Sequence, residues 1–314
     1  MILAMMLAGT SIPVSKMLTG RTPVFAANAL SLLFGCILLL PAGIRFFKGM
    51  KRNSLRCSDL RYPALQGLFG MALFRVCTFY GLKFLPAVEG GLLTAAGPAI
   101  MALSAYVLLK ERPDRYRMAA IALTAAGIAV LQWQPAAFRF SLKGTALILA
   151  AMVFETLLTI FRKKAVRYIP PAENTFLIML FCLVYLLPAV AIEAAVSPSF
   201  EFPFEAVFAC MYLGLFGSAL AYICWGYAAP RLPAGTTGII SGMMPLTAAA
   251  VSILLFGEEV RPRHVVGGIL VLGALLLSAL SAISSSKVSG PGPSICVSAD
   301  VSTSELLPPS RRRG

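Results

Sequence analysis

The chain has 314 residues, 58% of them hydrophobic and 13% charged, with a mean hydropathy of +0.83. Soluble domains carry about 45–50% apolar and about 25% charged residues, so an ordinary soluble globule is excluded; 21 Pro and 26 Gly spread through the apolar runs exclude one long coiled coil. A formal charge of +14 raises nucleic acid as a partner. The competing reading, basic residues marking one side of a membrane, fits the apolar excess, and no nucleic-acid partner is expected.

In chain order, apolar runs between polar punctuation predict ten helices, at 1–18, 23–44, 62–82, 87–109, 116–133, 143–165, 173–195, 205–228, 234–256 and 264–283. Most approach the roughly 20 apolar residues a spanning helix needs. The first is short and carries Pro13 and Lys16; no basic segment precedes it, so no cleavable leader is expected. Residues 284–314 are rich in Ser, Gly and Pro, lack aromatics and hold Arg311 to Arg313, the composition of a disordered tail. Five of the seven cysteines sit in apolar runs and His264 is the only histidine. Neither a metal-ligand nor a disulfide pattern results, and no cofactor is expected.

The loops alternate in basicity. With the N-terminus inside, the inner loops hold 15 Lys and Arg and the outer loops 7, a bias that sets orientation. Both termini are expected in the cytoplasm, the chain crossing a cell (plasma or inner) membrane many times.

Shifted by 147 positions, the two halves align without a gap. Gly67 to Leu73 (Gly-Leu-Phe-Gly-Met-Ala-Leu) falls on Gly214 to Leu220 (Gly-Leu-Phe-Gly-Ser-Ala-Leu). Leu85-Pro-Ala87 falls on Leu232-Pro-Ala234, and Leu39-Leu-Pro-Ala42 on Leu186-Leu-Pro-Ala189. Tyr80 matches Tyr227, Pro98 matches Pro245 and Glu111 matches Glu258; 17 of the 65 positions from 67 to 131 are identical at this offset. Shared Leu and Ala content would not bring Pro, Glu and Tyr into register. Five helices per half is odd, so the second half enters the membrane inverted, as in secondary transporters with a site between their halves. The expected fold is all-α integral membrane: ten transmembrane helices in two inverted five-helix repeats, 1–133 and 143–283, and a tail at 284–314.

These motifs resemble the drug/metabolite transporter superfamily, in its EamA-domain branch, over residues 1–283. The resemblance rests on Leu-Pro-Ala at 85–87 and 232–234, on Pro98 and Pro245, and on Leu109-Lys-Glu111 and Phe256-Gly-Glu258. Two family features are absent: a Trp near the start of the first helix, where Leu7-Ala8-Gly9 stands, and an Arg early in the second, where Asn28 stands. The resemblance implies export or exchange of small organic solutes.

Several residues stand out as candidates. Pro98 and Pro245 are each the twelfth residue of a predicted helix, where proline kinks the helix and points at a central cavity; packing kinks are the competing reading. Arg75 and Glu155 lie well inside predicted spans, where charge faces the bundle interior or a wet cavity. Counting rise per residue leaves Arg75 offset by about 10 Å from both Glu155 and Glu89, so its partner stays open. Arg75 is read as a structural or anion-contact residue, and Glu155 as the proton-coupling candidate. Tyr80, Tyr222 and Trp225 could stack on a solute or belong to an interfacial belt. Glu111 and Glu258, at predicted helix ends, are gate candidates or solvated ends. His264 is expected to be solvated in an outer loop.

The composite expectation is a secondary transporter of small organic metabolites or drugs, an exporter coupled to protons, with the lipid bilayer as partner and a monomeric or homodimeric state. A nucleotide-sugar or sugar-phosphate exchanger is the rival within the superfamily, although one intramembrane Arg is few for such anions. A membrane scaffold or an integral-membrane enzyme is the rival from another class.

Overall fold

The computed structural model describes residues 1–19, 22–52, 60–97, 99–100, 103, 115–131, 141–164, 169–196, 202–232, 240–257 and 259–288. Among these, every regular element is a helix. There are α1 (Ile2–Leu18), α2 (Val24–Leu38), α3 (Leu40–Arg52), α4 (Arg61–Phe84), α5 (Ala87–Ala96) and α6 (Arg115–Leu131). There follow α7 (Leu142–Lys164), α8 (Pro171–Val196), α9 (Phe204–Arg231), α10 (Met243–Phe256) and α11 (Pro262–Val288).

Proline opens five of them. Pro23, Pro86 and Pro203 are the N-caps of α2, α5 and α9, and Pro171 and Pro262 the first residues of α8 and α11. The first backbone N–H groups of a helix have no intrahelical partner, so a residue without one costs nothing there. Gly257, at φ 59°, closes α10 in the left-handed conformation that glycine adopts without a Cβ clash.

Among the described residues eleven helices stand where ten are predicted. The segment predicted at 23–44 breaks at Leu39, and α2 and α3 meet at 66°. Pro41 cannot donate to the carbonyl of Ile37, which ends the ladder. By length and composition α4, α7, α8, α9 and α11 can cross a membrane, or six spans if the bent α2–α3 pair counts as one. Among the described residues α1, α5, α6 and α10 are apolar runs of 10–17 residues. Helix α11 runs to Val288, five residues into the stretch expected to be disordered. The rest of that tail lies outside the described residues.

Helices from the two halves of the chain interleave. α1 packs on α10 and α9, α2 on α8 and α9, α4 on α7 and α8, α5 on α10 and α7, and α6 on α11. Glycine permits the closest of these approaches. A Cβ on Gly67 would stand 2.9 Å from the Ile178 carbonyl oxygen of α8, and one on Gly91 2.7 Å from Ala248 of α10. At Gly214 it would run into the Ser31 carbonyl of α2. Large apolar side chains cover the outside, Leu254 at 82% exposure, Val196 at 77% and Phe204 at 76%. So much outward apolar surface suits lipid and not water.

Candidate functional site

Two helices leave α-helical geometry at matching places. α4 is π-helical over Gln66–Leu73 and α9 over Leu213–Leu220, the same segment displaced by 147 residues. A π segment bonds i to i+5, widens the helix, and recurs at functional sites. Each holds two glycines of the repeated Gly-Leu-Phe-Gly, and each is followed two residues later by a large polar side chain: Arg75 on α4 and Tyr222 on α9.

Arg75 and Tyr222 line one cavity of about 50 Å³ among α1, α4 and α9, together with Ser11, Ser15, Thr78 and Ser218. Arg75 is 8% exposed. Its Nε donates to Asn28 Oδ1, Nη1 to Ser218 Oγ and Nη2 to Ser31 Oγ, all at 2.9 Å. The acceptors spend their own protons on their own helices. Asn28 Nδ2 donates to Val24 O, Ser31 Oγ to Asn28 O and Ser218 Oγ to Leu213 O, each at 2.8 Å. Their free lone pairs therefore point at the guanidinium, and the direction of each bond is fixed. A charge in a span costs roughly 2.5–3.5 kcal/mol on insertion scales, while a hydrogen bond to a charged group returns about 1.5–3 kcal/mol. Three such bonds stabilise a cation without a counter-ion; among the described residues no carboxylate forms an ion pair with Arg75.

Both carboxylates considered for Arg75 lie elsewhere. Glu89, 1% exposed, accepts from Arg263 Nη2 at 2.7 Å and lies 3.5 Å from His264 Nε2, tying α5 to α11. His264, expected in solvent, is 7% exposed, and its Nδ1 accepts from the Arg261 N–H at 3.3 Å. It is buried because α11 begins at Pro262 and carries it against α5. Glu155 is half-buried on α7. The Tyr222 hydroxyl faces the Gly70 carbonyl at 3.4 Å. Arg75 and Tyr222 thus share one cavity between α4 and α9, whose lining does not include Glu155.

The remaining candidates disperse. Tyr80 sits against Phe25 with Lys83 over its ring at 4.7 Å. Trp225 carries Arg162 over its ring at 4.8 Å, and Arg162 Nη2 donates to Gly226 O at 3.4 Å. Pro245 is buried and is the third residue of α10. A turn at Gly242 precedes α10, and Pro245, which has no N–H, cannot donate to the carbonyl four residues before it. The first half shows a 3₁₀ turn at Thr94–Ala96, at the equivalent place before Pro98. Pro98, Glu111 and Glu258 themselves lie outside the described residues.

Sequence reasoning missed Asn28, Ser31 and Ser218 as partners of Arg75. Their signal was polar side chains inside apolar runs, two of them three residues apart on one helix face. It also missed Glu193 of α8, whose Oε2 accepts from the Phe25 and Ala26 N–H groups at 2.9 Å, capping α2 from another helix.

Helices of spanning length and an apolar exterior around a buried polar cavity define a multi-pass membrane protein. The chain belongs to the EamA-like transporter family, whose model matches residues 1–133 and 142–280. It is 27% identical over 284 residues to the "Uncharacterized transporter YetK" of Bacillus subtilis (strain 168), covering 88% of this chain and 84% of that protein. It is 30% identical over 222 residues to the "Probable terminal-alkyne amino-acid exporter" of Streptantibioticus cattleyicolor, covering 71% and 74%. It is also 27% identical over 220 residues to the "Probable amino-acid metabolite efflux pump" of Salmonella typhimurium, covering 67% and 72%. A crystal structure of a protein with 20% identity superposes at a TM-score of 0.61 over 90% of this chain and 98% of that one, a likeness of fold.

Proposed function

We propose that the chain is a secondary carrier exporting small organic metabolites or drugs across the plasma membrane by alternating access, with Glu155 carrying a proton. The observation that carries this reading is the pair of equivalent π segments, each placing a polar side chain in the same cavity. Two inverted five-helix repeats, 1–133 and 143–283, with both termini cytoplasmic, explain why the helix pairings map onto one another. Exchanging the halves turns α4–α7 into α9–α1 and α4–α8 into α9–α2, and leaves α2–α8, α5–α10 and α6–α11 unchanged.

A cavity of about 50 Å³ holds a few waters, whereas organic ligands occupy roughly 300–1,000 Å³. Solute entry therefore needs the halves to part, and the wide, weakly bonded π turns are where α4 and α9 can flex. Glu155 has no hydrogen bond or ion pair through its carboxylate among the described residues, so protonation there breaks no contact. Export of small, amino-acid-like solutes is in keeping with the two relatives named as an exporter and an efflux pump.

The test is counterflow of a labelled solute panel in proteoliposomes, with and without an inward proton gradient. Saturable exchange, accelerated in net transport by the gradient, is the expected result. In Glu155→Gln, exchange should persist while gradient-driven accumulation is lost; unchanged gradient dependence would remove Glu155 from the cycle.

A further inference from the structure

The geometry points to Arg75 as the docking group for a carboxylate of the transported solute, held ready by Asn28, Ser31 and Ser218. This rests on the carrier reading above and deepens it. A guanidinium has five N–H donors, and three are taken by these neutral oxygens, leaving two. The side chain is nine-tenths buried, lines the cavity, and has no ionic partner among the described residues. A cation in that state lacks its counter-ion, and a planar fork with spare donors matches a carboxylate.

The holders are arranged for this task. None of the three is charged, so none competes with an incoming anion for Arg75. Each is locked to its own helix through its proton, so the guanidinium stays put when the cavity is empty. Ser218 also ties Arg75 to the carbonyl of Leu213, the first residue of the α9 π segment. The pull of a bound anion is thereby passed to the backbone stretch expected to flex.

The rest of the cavity narrows the solute. Ser11 Oγ donates to Ala8 O at 2.5 Å, Ser15 Oγ to Ser11 O at 2.7 Å and Thr78 Oγ1 to Phe74 O at 2.8 Å. With their protons spent, all three offer only lone pairs to the cavity, so they accept from a donor such as an ammonium and repel a second anionic group. One cation facing acceptors fits a monocarboxylate bearing a donor group, and it disfavours a phosphate monoester, which would need more positive charge.

The experiment is counterflow with full-length protein in proteoliposomes, using a mixture of labelled amino acids, their matched carboxamides and one sugar phosphate. Acids should exchange in preference to amides and to the phosphate. Arg75→Gln should lose the acid-over-amide preference by about tenfold or more, the scale of one charge-assisted hydrogen bond, with Arg75→Lys in between. Ser218→Ala should raise the KM for acids and leave that for amides, a change that general damage to the fold would not produce. Size-exclusion and thermal-melting profiles establish that each variant is folded, and where Arg75→Gln is not, Ser218→Ala carries the comparison. Equal exchange of acids and amides by the native chain, or an undiminished acid preference in Arg75→Gln or Ser218→Ala, overturns the docking role. Exchange of neutral solutes or of the sugar phosphate without the acids overturns it too and leaves the carrier reading standing. No exchange of any solute overturns both.

Discussion

Arg75 and Tyr222 occupy one structural position twice. They lie 147 residues apart, each two residues beyond a π segment of eight residues, and both line the same cavity. The backbone irregularity is duplicated while the side chain it presents is not: one copy carries a fixed charge, the other a hydroxyl facing the Gly70 carbonyl. Chemistry has diverged on a mechanically repeated frame.

Asn28→Ala removes the acceptor for Arg75 Nε and leaves a buried charged donor unpaired. The expected loss is about 1.5–3 kcal/mol of stability, read as a lower melting temperature in detergent. Asn28→Asp, which gives Arg75 a counter-ion, should recover stability and abolish exchange of carboxylate solutes.

Glu193→Ala should uncap α2, at about 1 kcal/mol. Hydrogen exchange should quicken at Phe25 and Ala26, whose N–H groups lose their acceptor, while the α6–α11 pairing keeps its protection. Unchanged exchange at those two amides would show that the cap contributes nothing.

Glu89→Gln breaks the buried pairing with Arg263 and leaves that cation and His264 beside a neutral amide. Removing one partner of a buried pair costs roughly 3–5 kcal/mol, so this variant should be the least stable single substitution of the set in thermal melts. A loss no larger than that of Glu193→Ala would mean water already screens the cluster.

A reporter fused at Ser197, between α8 and α9, should be active only on the outer face. A cytoplasmic signal would reverse the orientation drawn from 15 inner against 7 outer basic residues.

The sequence made the repeat visible because Pro, Gly, Tyr and Glu recur in register, and the π segments fall on its strongest motif. It did not show that equal motifs can fold unequally. Leu39-Leu-Pro-Ala42 breaks the chain into α2 and α3, whereas Leu186-Leu-Pro-Ala189 continues through Pro188 inside α8. A proline removes one bond in either case, and only tertiary packing decides whether the helix bends. Helix heights likewise left Arg75 between two carboxylates, yet its partners are three neutral side chains, two of them on α2 and one contributed by the other half of the chain. Such groups carry no charge to search for, and their distances follow from helix crossings that periodicity does not encode.

The Ser218 hydroxyl spends its proton on the Leu213 carbonyl and its lone pair on Arg75, so it occupies a crossroads between recognition and motion. Under the docking role proposed for Arg75, a change there would alter selectivity and backbone shape together. On that role, drift in what this transporter accepts is cheaper elsewhere along the cavity wall, and lineages that shift their solute should do so around Ser218 before they do so at it.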